Sequence, residues 1–247
     1  MSNQSRLVIL GAGGHGKVVA ETALSAGFEI IGFLDDNRDK HRKKILGIPV
    51  LGGTELIKDL IERNLVDYGI VAIGNNIIRA KLYYKLLEIG IEPATIVHPA
   101  SYIAKGTSIG RGTVIFAGAI VQPGSIIGDN VIVNTGASID HDNKILHHSC
   151  INPQATLAGG VKVGYYSTIH TNATITPYVK IGNNSVIGAG SVILKDVGDN
   201  EIVVGVPGRL LKYNNYRPDK LLIKNLFNQA YHTVVFDESY EEDENGN

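Results

Sequence analysis

A histidine followed by an aspartate, His141–Asp142, has the residue types of a general base with an acidic partner. A neutral imidazole accepts a proton near neutral pH, and a neighbouring carboxylate can fix its tautomer or raise its basicity. Eighteen residues further along the chain are Gly159 and Gly160, which leave backbone N–H groups uncovered by side chains. Asn134 supplies a further polar group nearby. These residues form the first candidate site.

A second candidate lies near the N-terminus, where Gly11, Gly13 and Gly16 form a G-x-G-x-x-G motif between an apolar run and a helical pattern. Such a motif holds phosphate at a helix N-terminus, and an acid about 20 residues later contacts a ribose. Asp35 and Asp36 stand at that spacing. The motif fits NAD, but its residues would contact the phosphate and ribose of the ligand and not the nicotinamide. A nucleoside diphosphate sugar presents the same groups, and His15 and Lys17 add polar and positive groups for a diphosphate.

The remaining reactive side chains give weaker signals. Cys150 is the one cysteine, so no intrachain disulfide forms and a cytoplasmic location is expected. Its thiol is interpreted as a small wall residue, with an acyl-accepting nucleophile as the alternative. His147 and His148 are interpreted as exposed. Together with His141 they could approach a metal, but no carboxylate or cysteine set completes such a site, so no metal is predicted.

The first 95 residues alternate strand-like and helix-like segments. RLVIL, EIIGFLDD and DYGIVAIG have strand patterns, and helical spacing follows each of them. This alternation predicts βαβ units around a parallel sheet, here a small Rossmann-like domain over residues 1–95.

From Val97 the period changes to six residues, and seventeen consecutive positions from Val97 to Ile193 are all Ile, Leu or Val. A repeat of this length indicates a β-solenoid, in which three hexapeptides close one triangular coil and residues eighteen apart stack. The fourth residue after each aliphatic should also face inward at a corner. Asn143 is too large and polar for that position, so a local distortion is expected there. Glycines directly after the aliphatic, such as Gly110, Gly128, Gly164, Gly182 and Gly188, are expected to serve tight turns.

Taken together, GAGGHGKVV, FLDD, AIGN, NTGASIDHD, LAGGVKVG and VVGVPGRL resemble the family of bacterial nucleotide-sugar and sialic-acid acetyltransferases over residues 5–212. The resemblance implies a left-handed parallel β-helix for residues 96–212, acetyl-CoA as co-substrate, and a homotrimer. It implies N-acetylation of a 4-amino-deoxy sugar linked to a nucleotide, with UDP favoured, by direct attack on the thioester.

The resemblance also assigns roles. His141 is the catalytic base, Asp142 is its acidic neighbour, and the Gly159 N–H holds the thioester oxygen. The acetyl-CoA site comprises Gly159, Gly160, Cys150, Val206, Pro207 and Arg209, although many relatives have a histidine where this chain has Cys150. The nucleotide-sugar site comprises Gly11, Gly13, Gly14, His15, Gly16, Lys17, Asp35, Asp36, Asn75, Arg79 and Asn134.

Other functions stay open at this point. They are an O-acetyltransferase acting on a sialic-type sugar, a nicotinamide-dependent oxidoreductase with a solenoid trimerisation domain, and a zinc-binding hexapeptide scaffold. The formal net charge of −1 gives no reason to expect a nucleic acid partner. No apolar stretch approaches the roughly 20 residues of a spanning helix, so no membrane insertion is expected. Residues 213–247 form a C-terminal extension, with a short helix and strand over 216–236 and a disordered acidic end.

Overall fold

The protein is described by a computed structural model that covers residues 4–228, 231–234 and 236. The N-terminal part contains the helices α1 (Gly14–Ser25), α2 (Ile57–Glu62) and α3 (Asn76–Glu88). Its strands are β1 (Arg6–Leu10), β2 (Glu29–Leu34), β3 (Lys44–Ile45), β4 (Ile48–Gly52), β5 (Tyr68–Val71) and β6 (Glu92–Pro93). They form one sheet in the order β3-β4-β2-β1-β5-β6, parallel except for the β3–β4 pair. The predicted Rossmann-like arrangement is confirmed, and the β3–β4 hairpin is an addition that the sequence patterns did not reveal.

Both faces of this sheet are covered. Leu7 and Ile9 of β1 pack with Val19 and other residues of α1, while Val8 and Leu10 pack in a separate cluster with residues of α2 and α3. The α1 face also contacts the next part of the chain through Ile96, Val114, Phe116, Ile132 and Cys150. This shared core joins the N-terminal sheet and α1 directly to one side of the repeat region.

The repeat region is a triangular prism of two-residue strands. They are β7 (Ile96–Val97), β8 (Tyr102–Ile103), β9 (Ser108–Ile109), β10 (Val114–Ile115), β11 (Ile120–Val121), β12 (Ile126–Ile127), β13 (Ile132–Val133), β14 (Ser138–Ile139), β15 (Lys144–Ile145), β16 (Cys150–Ile151), β17 (Thr156–Leu157), β18 (Lys162–Val163), β19 (Thr168–Ile169), β20 (Thr174–Ile175), β21 (Lys180–Ile181), β22 (Val186–Ile187) and β23 (Val192–Ile193). Every third strand pairs in parallel, eighteen residues apart, so three sheets form. We call them wall 1 (β7 to β22 by threes), wall 2 (β8 to β23) and wall 3 (β9 to β21). The predicted left-handed β-helix is confirmed.

The turns of the prism differ from the prediction. At most corners the residue with a left-handed backbone conformation is the third after the inward-facing aliphatic residue, as at Asn130 (φ 54°) and Asp142 (φ 58°). The glycines directly after the aliphatic do not have positive φ, and they serve close packing between coils. A Cβ on Gly110, for example, would lie 2.5 Å from the backbone nitrogen of Asp129 in the next coil. The tight-turn interpretation of these glycines is therefore wrong.

The distortion expected at Asn143 is absent, because β15 keeps its register with both β12 and β18. Asn143 is buried, and its amide donates hydrogen bonds to the carbonyl oxygens of Asp140 (2.8 Å), Ala158 (2.9 Å) and His141 (3.2 Å). A polar residue fits inside this corner because it satisfies carbonyl groups of two successive coils.

Beyond the prism, β24 (Glu201–Val204) extends wall 1, and β25 (Arg209–Tyr213) pairs with it in antiparallel fashion. Helix α4 (Lys220–Leu226) then turns back with Asp219 as its N-cap, and Leu222 and Leu226 pack on α3. The predicted short helix is confirmed, whereas the described residues of 216–236 contain no strand. The expected acidic disorder lies outside the described residues, and domain divisions near 95 and 212 remain a prediction. Among the described residues no helix has the length and apolar character that crossing a membrane requires.

Candidate functional site

His141 stands at the corner between wall 2 and wall 3, two residues after the end of β14. Its Nδ1 lies 2.8 Å from Oδ2 of Asp142, and the hydrogen bond to that carboxylate raises the pKa of His141 above its ordinary value. Since the carboxylate accepts a hydrogen bond from the Nδ1–H, the lone pair of the neutral ring is on Nε2. The side chain is half exposed. This arrangement supplies a base whose free nitrogen is available to a ligand.

The Gly159–Gly160 pair lies one coil above His141. A Cβ on Gly159 would overlap Nε2 of His141 and lie 2.5 Å from its Cε1, so the imidazole packs directly against this glycine. The N–H of Gly159 donates to no carbonyl or side chain in the described part of the chain. The eighteen-residue spacing thus brings the imidazole of His141 onto a glycine whose backbone N–H has no acceptor in the described part of the chain.

The glycine-rich loop divides into two kinds of glycine. Gly11 has φ 113° and lies against the carbonyl of Ala72, and a Cβ on Gly16 would overlap the carbonyl oxygen of Gly11. In contrast, Gly13 and Gly14 have nothing within 4 Å of their Cβ positions. The first pair is needed by the fold, while the second pair leaves open space at the N-terminus of α1, where free N–H groups attract an anion.

Asp35 and Asp36 both take part in the loop structure. The carboxylate of Asp35 accepts hydrogen bonds from Ala12 N–H and from Lys40 Nζ, each at 2.8 Å. Burial opposes ionisation of Asp35, but these hydrogen bonds outweigh it and lower its pKa. Asp36 accepts from Thr54 N–H at 2.7 Å. Asp35 thus positions the glycine-rich loop, and any contact with a ribose comes in addition.

His15 and Lys17 separate in the structure. Lys17 is exposed beside the open glycines, whereas the imidazole of His15 is largely buried against Phe116, with ring centroids 5.6 Å apart. Burial, aided by the charge of Arg79, lowers the pKa of His15 to about 4. Its Nε2 has no hydrogen-bond partner among the described residues. His15 is therefore a neutral hydrogen-bonding group, and Lys17 is the cation.

His15 opens into a cavity of about 490 Å³ between the N-terminal domain and wall 1. It is lined by His15, Gly74, Asn75, Asn76, Ile77, Ile132, Asn134, Cys150, Asn152, Tyr166, Thr168, His170, Thr171, Asn184, Val186, Asn214 and Tyr216. Amide and hydroxyl groups dominate this lining, which suits a ligand rich in hydroxyl groups such as a sugar. Asn75 and Asn134, predicted for the nucleotide-sugar site, and Cys150, predicted for the acetyl-CoA site, all line this cavity, whereas His141 does not.

Cys150 is buried in that cavity wall, on β16 of wall 1, and its thiol donates to Oδ1 of Asn152 at 3.4 Å. Burial raises the pKa of Cys150 to about 11. A thiol that stays protonated is a poor nucleophile, so the acyl-accepting alternative has no support. Within one chain Cys150 lies on a different wall from the wall 2 strand that precedes Gly159, which separates two residues predicted for one acetyl-CoA site.

Arg79 has a different role from the predicted contact to a nucleotide sugar. Its side chain is fully buried, and its guanidinium donates to the prism carbonyls of Asn130, His148 and Ser149 at 2.8–3.2 Å. It also donates to the carbonyls of residues 73 and 74. All three guanidinium nitrogens are thus engaged by backbone oxygens, and Arg79 joins α3 to the prism.

His147 and His148 are buried, which corrects their interpretation as exposed residues. The ring of His148 forms hydrogen bonds through Nε2 to Tyr84 Oη (2.8 Å) and through Nδ1 to the Asn130 side-chain amide (2.9 Å). His147 stacks on His232, with ring centroids 3.9 Å apart and planes 20° apart. Tyr84 belongs to α3 and His232 to the C-terminal extension, so no local pattern around residue 147 could indicate these two contacts.

Asp129, His147 and His232 place ligand atoms within 4.8 Å of one another, as in some metal sites. However, His147 Nδ1 accepts the Asp129 backbone N–H at 2.8 Å, and Asp129 already accepts from His232 Nδ1 and Thr233. Ring lone pairs lie in the ring planes, so two stacked and nearly parallel imidazoles do not converge on one ion. The cluster fits a hydrogen-bonded anchor for the C-terminal segment better than a metal site.

The remaining residues of the predicted acetyl-CoA site lie at the end of the prism; they are Val206, Pro207 and Arg209. Pro207 and Arg209 line a cleft of about 410 Å³ together with Lys195 and Asp196, while Val206 is exposed outside it. His141, Gly159, Pro177 and Lys195 each stand two residues after a strand of wall 2 and so form one column. At about 4.8 Å per coil, this column runs roughly 14 Å from the imidazole to the cleft.

Comparisons with known proteins match both halves of the chain. Residues 6–86 match the PglD N-terminal domain family. Over 72 residues the chain is 38% identical to "Probable polysaccharide biosynthesis protein EpsC" of Bacillus subtilis (strain 168). That match covers 28% of this chain and only 12% of the relative's length.

Two solved structures match over nearly their whole length. A histidine-to-asparagine variant of perosamine N-acetyltransferase from Caulobacter crescentus, in complex with CoA and GDP-perosamine, is 33% identical with a TM-score of 0.81. The match covers 86% of this chain and 98% of that one. The acetyltransferase domain of PglB from Neisseria gonorrhoeae FA1090 is 37% identical with a TM-score of 0.79, covering 84% and 100%. A structure of that domain contains acetyl coenzyme A.

Proposed function

Because the chain belongs to the nucleotide-sugar acetyltransferase family, and is therefore an acyltransferase, we propose that it transfers the acetyl group of acetyl-CoA to the amino group of a nucleotide-linked 4-amino-deoxy sugar. The observation that carries this proposal is the imidazole of His141 packed on Gly159, whose N–H donates to no group in the described part of the chain. An acetyl transfer to an amine needs both a base and a donor for the developing oxyanion.

In the proposed reaction the sugar amine attacks the thioester carbon while Nε2 of His141 accepts its proton. A C–N bond forms, and the carbonyl oxygen becomes an oxyanion that accepts the Gly159 N–H. The C–S bond then breaks, and the proton on His141 passes to the departing thiolate. Asp142 stabilises the imidazolium through its hydrogen bond to Nδ1. No covalent acyl-enzyme is required, which agrees with the buried and protonated Cys150.

The N-terminal motif would bind the nucleotide part of the substrate. Gly13 and Gly14 leave open space at the start of α1, and Lys17 supplies a positive charge there. We assign the diphosphate to this position and the sugar to the adjoining polar cavity, where Nε2 of His15 has no hydrogen-bond partner among the described residues. UDP is the proposed nucleotide, and GDP, which the Caulobacter relative binds, is the main competitor.

We propose a homotrimer because the two halves of this proposed site lie on different parts of the prism within one chain. The sugar cavity opens on wall 1, while His141 stands at the corner between walls 2 and 3 and does not line that cavity. Both must meet at one sugar amine. Packing of prisms around a threefold axis would bring the His141 corner of one chain to the cavity of the next. The CoA arm would then follow the column from Gly159 to the Pro207 cleft.

The reaction is tested by incubating the protein with acetyl-CoA and UDP-, GDP- or dTDP-linked 4-amino sugars, with release of free thiol as the readout. Thiol release with one of these sugars, abolished in His141→Asn, supports the proposal. Turnover of sialic acid and of no amino sugar would favour O-acetylation instead. Binding of NADH without binding of CoA would contradict both.

The shared site is tested by mixing two inactive variants. His141→Asn lacks the base, and Gly13→Val fills the open space at the phosphate position. Mixed oligomers formed after unfolding and refolding together should regain part of the activity, since some sites then combine an intact cavity with an intact His141 from a different chain. No recovery in oligomers shown to be mixed would place both halves of the site in one chain.

A further inference from the structure

Tyr178 occupies an unusual position for a tyrosine. It stands at a corner of the prism with φ 61°, where bulky residues are disfavoured, and 70% of its surface is exposed. Tyr166 has the same backbone conformation, but its ring is buried against α4 and its hydroxyl donates to the carbonyl of Leu222. The hydroxyl of Tyr178 makes no hydrogen bond to the described part of the chain. The fold therefore accounts for Tyr166 but not for Tyr178.

The ring of Tyr178 lies on the same glycine pair as the imidazole of His141. A Cβ on Gly160 would lie 2.5 Å from Cδ1 and 2.7 Å from Cε1 of Tyr178, so the ring packs down onto Gly160 from the coil above. His141 packs up against Gly159 from the coil below. The two rings thus stand on either side of the Gly159–Gly160 corner, where the thioester is proposed to lie.

Tyr178 also lies beside the column that leads away from this corner. It stands two coils above Asp142, and one coil further up is Asp196, which lines the cleft with Pro207 and Arg209. An arm that joins a thioester at Gly159 to a nucleotide end in the cleft would follow this column and so run beside Tyr178.

We propose that Tyr178 is a positioning residue for the acyl-CoA thioester arm, with its ring packing on the methylene and amide groups next to the sulfur. This inference rests on the proposed function, because it takes acyl-CoA as the donor. An aromatic face suits this arm, since it packs on apolar methylenes and on planar amides alike. The strained backbone of Tyr178 is then the cost of holding the ring beside the reacting carbonyl.

The test compares Tyr178→Asn with Tyr178→Phe. Asparagine favours the left-handed conformation, so this variant should fold at least as stably as the original chain while lacking the ring. Phenylalanine keeps the ring and removes the hydroxyl. Calorimetry with CoA alone should give a Kd about tenfold higher for the asparagine variant and within about twofold for the phenylalanine variant. In turnover, the KM for acetyl-CoA should rise about tenfold in Tyr178→Asn, and the KM for the sugar should stay unchanged.

Equal CoA affinity in all three proteins would overturn the proposal, and so would equal weakening by Asn and Phe, because the ring would then not be the binding group. Loss of the oligomer in Tyr178→Asn would also overturn it, by showing that the ring serves subunit contact. Failure of the proposed function gives a different result, namely no thiol release by the unaltered protein with any amino sugar. CoA binding is measured without a sugar, so the two results are separable.

Discussion

Gly159→Ala should remove most activity without destabilising the fold. The new Cβ would lie 2.5 Å from Cε1 of His141, whereas ordinary contacts begin at about 3.4 Å, so the imidazole must move by roughly 1 Å. A displacement of that size at a reacting group costs on the order of 100-fold in rate, or about 2.7 kcal/mol of transition-state stabilisation. We therefore expect kcat to fall about 100-fold.

Stability should hardly change, because Gly159 does not have positive φ and the exposed imidazole can move into solvent. At a compatible backbone conformation, alanine in place of glycine stabilises by about 0.4–1 kcal/mol. Ala117 already occupies the same repeat position on another edge of the prism, so the turn itself accepts a methyl group. The urea midpoint should thus be equal or slightly higher.

The assay is thiol release under saturating acetyl-CoA and sugar, with urea unfolding of the same preparations. Ala117→Gly is the matched control, since it makes the reverse change away from His141 and should keep full activity. Activity of Gly159→Ala within threefold of the original chain would refute the reasoning, because it would show that the space between Nε2 and the Gly159 N–H is not where the chemistry occurs.

Three further predictions concern charge and burial. In the pH profile of kcat/KM, activity should rise with pH through the pKa of His141, which the hydrogen bond to Asp142 raises above its ordinary 6.5. Asp142→Asn should move this rise to lower pH and reduce the maximal activity. A rise at the same pH in both proteins would show that His141 is not the titrating base. Arg79→Met should lower the free energy of unfolding in urea by roughly 3–5 kcal/mol, because buried carbonyls lose a charged donor, and a loss under 1 kcal/mol would contradict its junction role. Stability should also fall as pH drops below about 6.5, since burial holds the pKa of His15 near 4 and that of His147 near 3 while both ionise in the unfolded chain. Each contributes about 2 kcal/mol of this loss at pH 5, and His147→Asn should weaken the dependence.

The parts of the structure that were predictable from the sequence are those in which a local pattern repeats. The six-residue period fixes which side chains face inward, and three hexapeptides per coil place Gly159 above His141. The glycine-rich loop is likewise local, because its strand, turn and helix are contiguous. In both cases the spacing of a few residues contains the geometry.

The errors lie where distant segments meet. From the sequence, Arg79 is predicted to bind a ligand beside the AIGN segment, but three of its carbonyl partners lie more than fifty residues away. From the sequence, His147 is predicted to be exposed on a wall of the prism, but the ring of His232 from the C-terminal extension stacks on it. Asn143 is predicted to distort its corner, because the sequence does not show the carbonyl groups to which its amide donates in the folded prism.

The same separation explains why the dinucleotide-type motif does not by itself indicate the reaction. Gly11 and Gly16 are required by the packing of the loop itself, and only Gly13 and Gly14 of this motif leave open space. The motif thus predicts an anion site and nothing about the bond that reacts. The groups able to activate an amine and stabilise an oxyanion stand instead on the prism, at a corner away from the cavity that adjoins His15. In the proposed reaction, binding of the nucleotide and chemistry at the sugar therefore depend on different parts of the chain. A substrate that spans both parts, with a diphosphate at one end and an amine at the other, accounts for a chain that carries both.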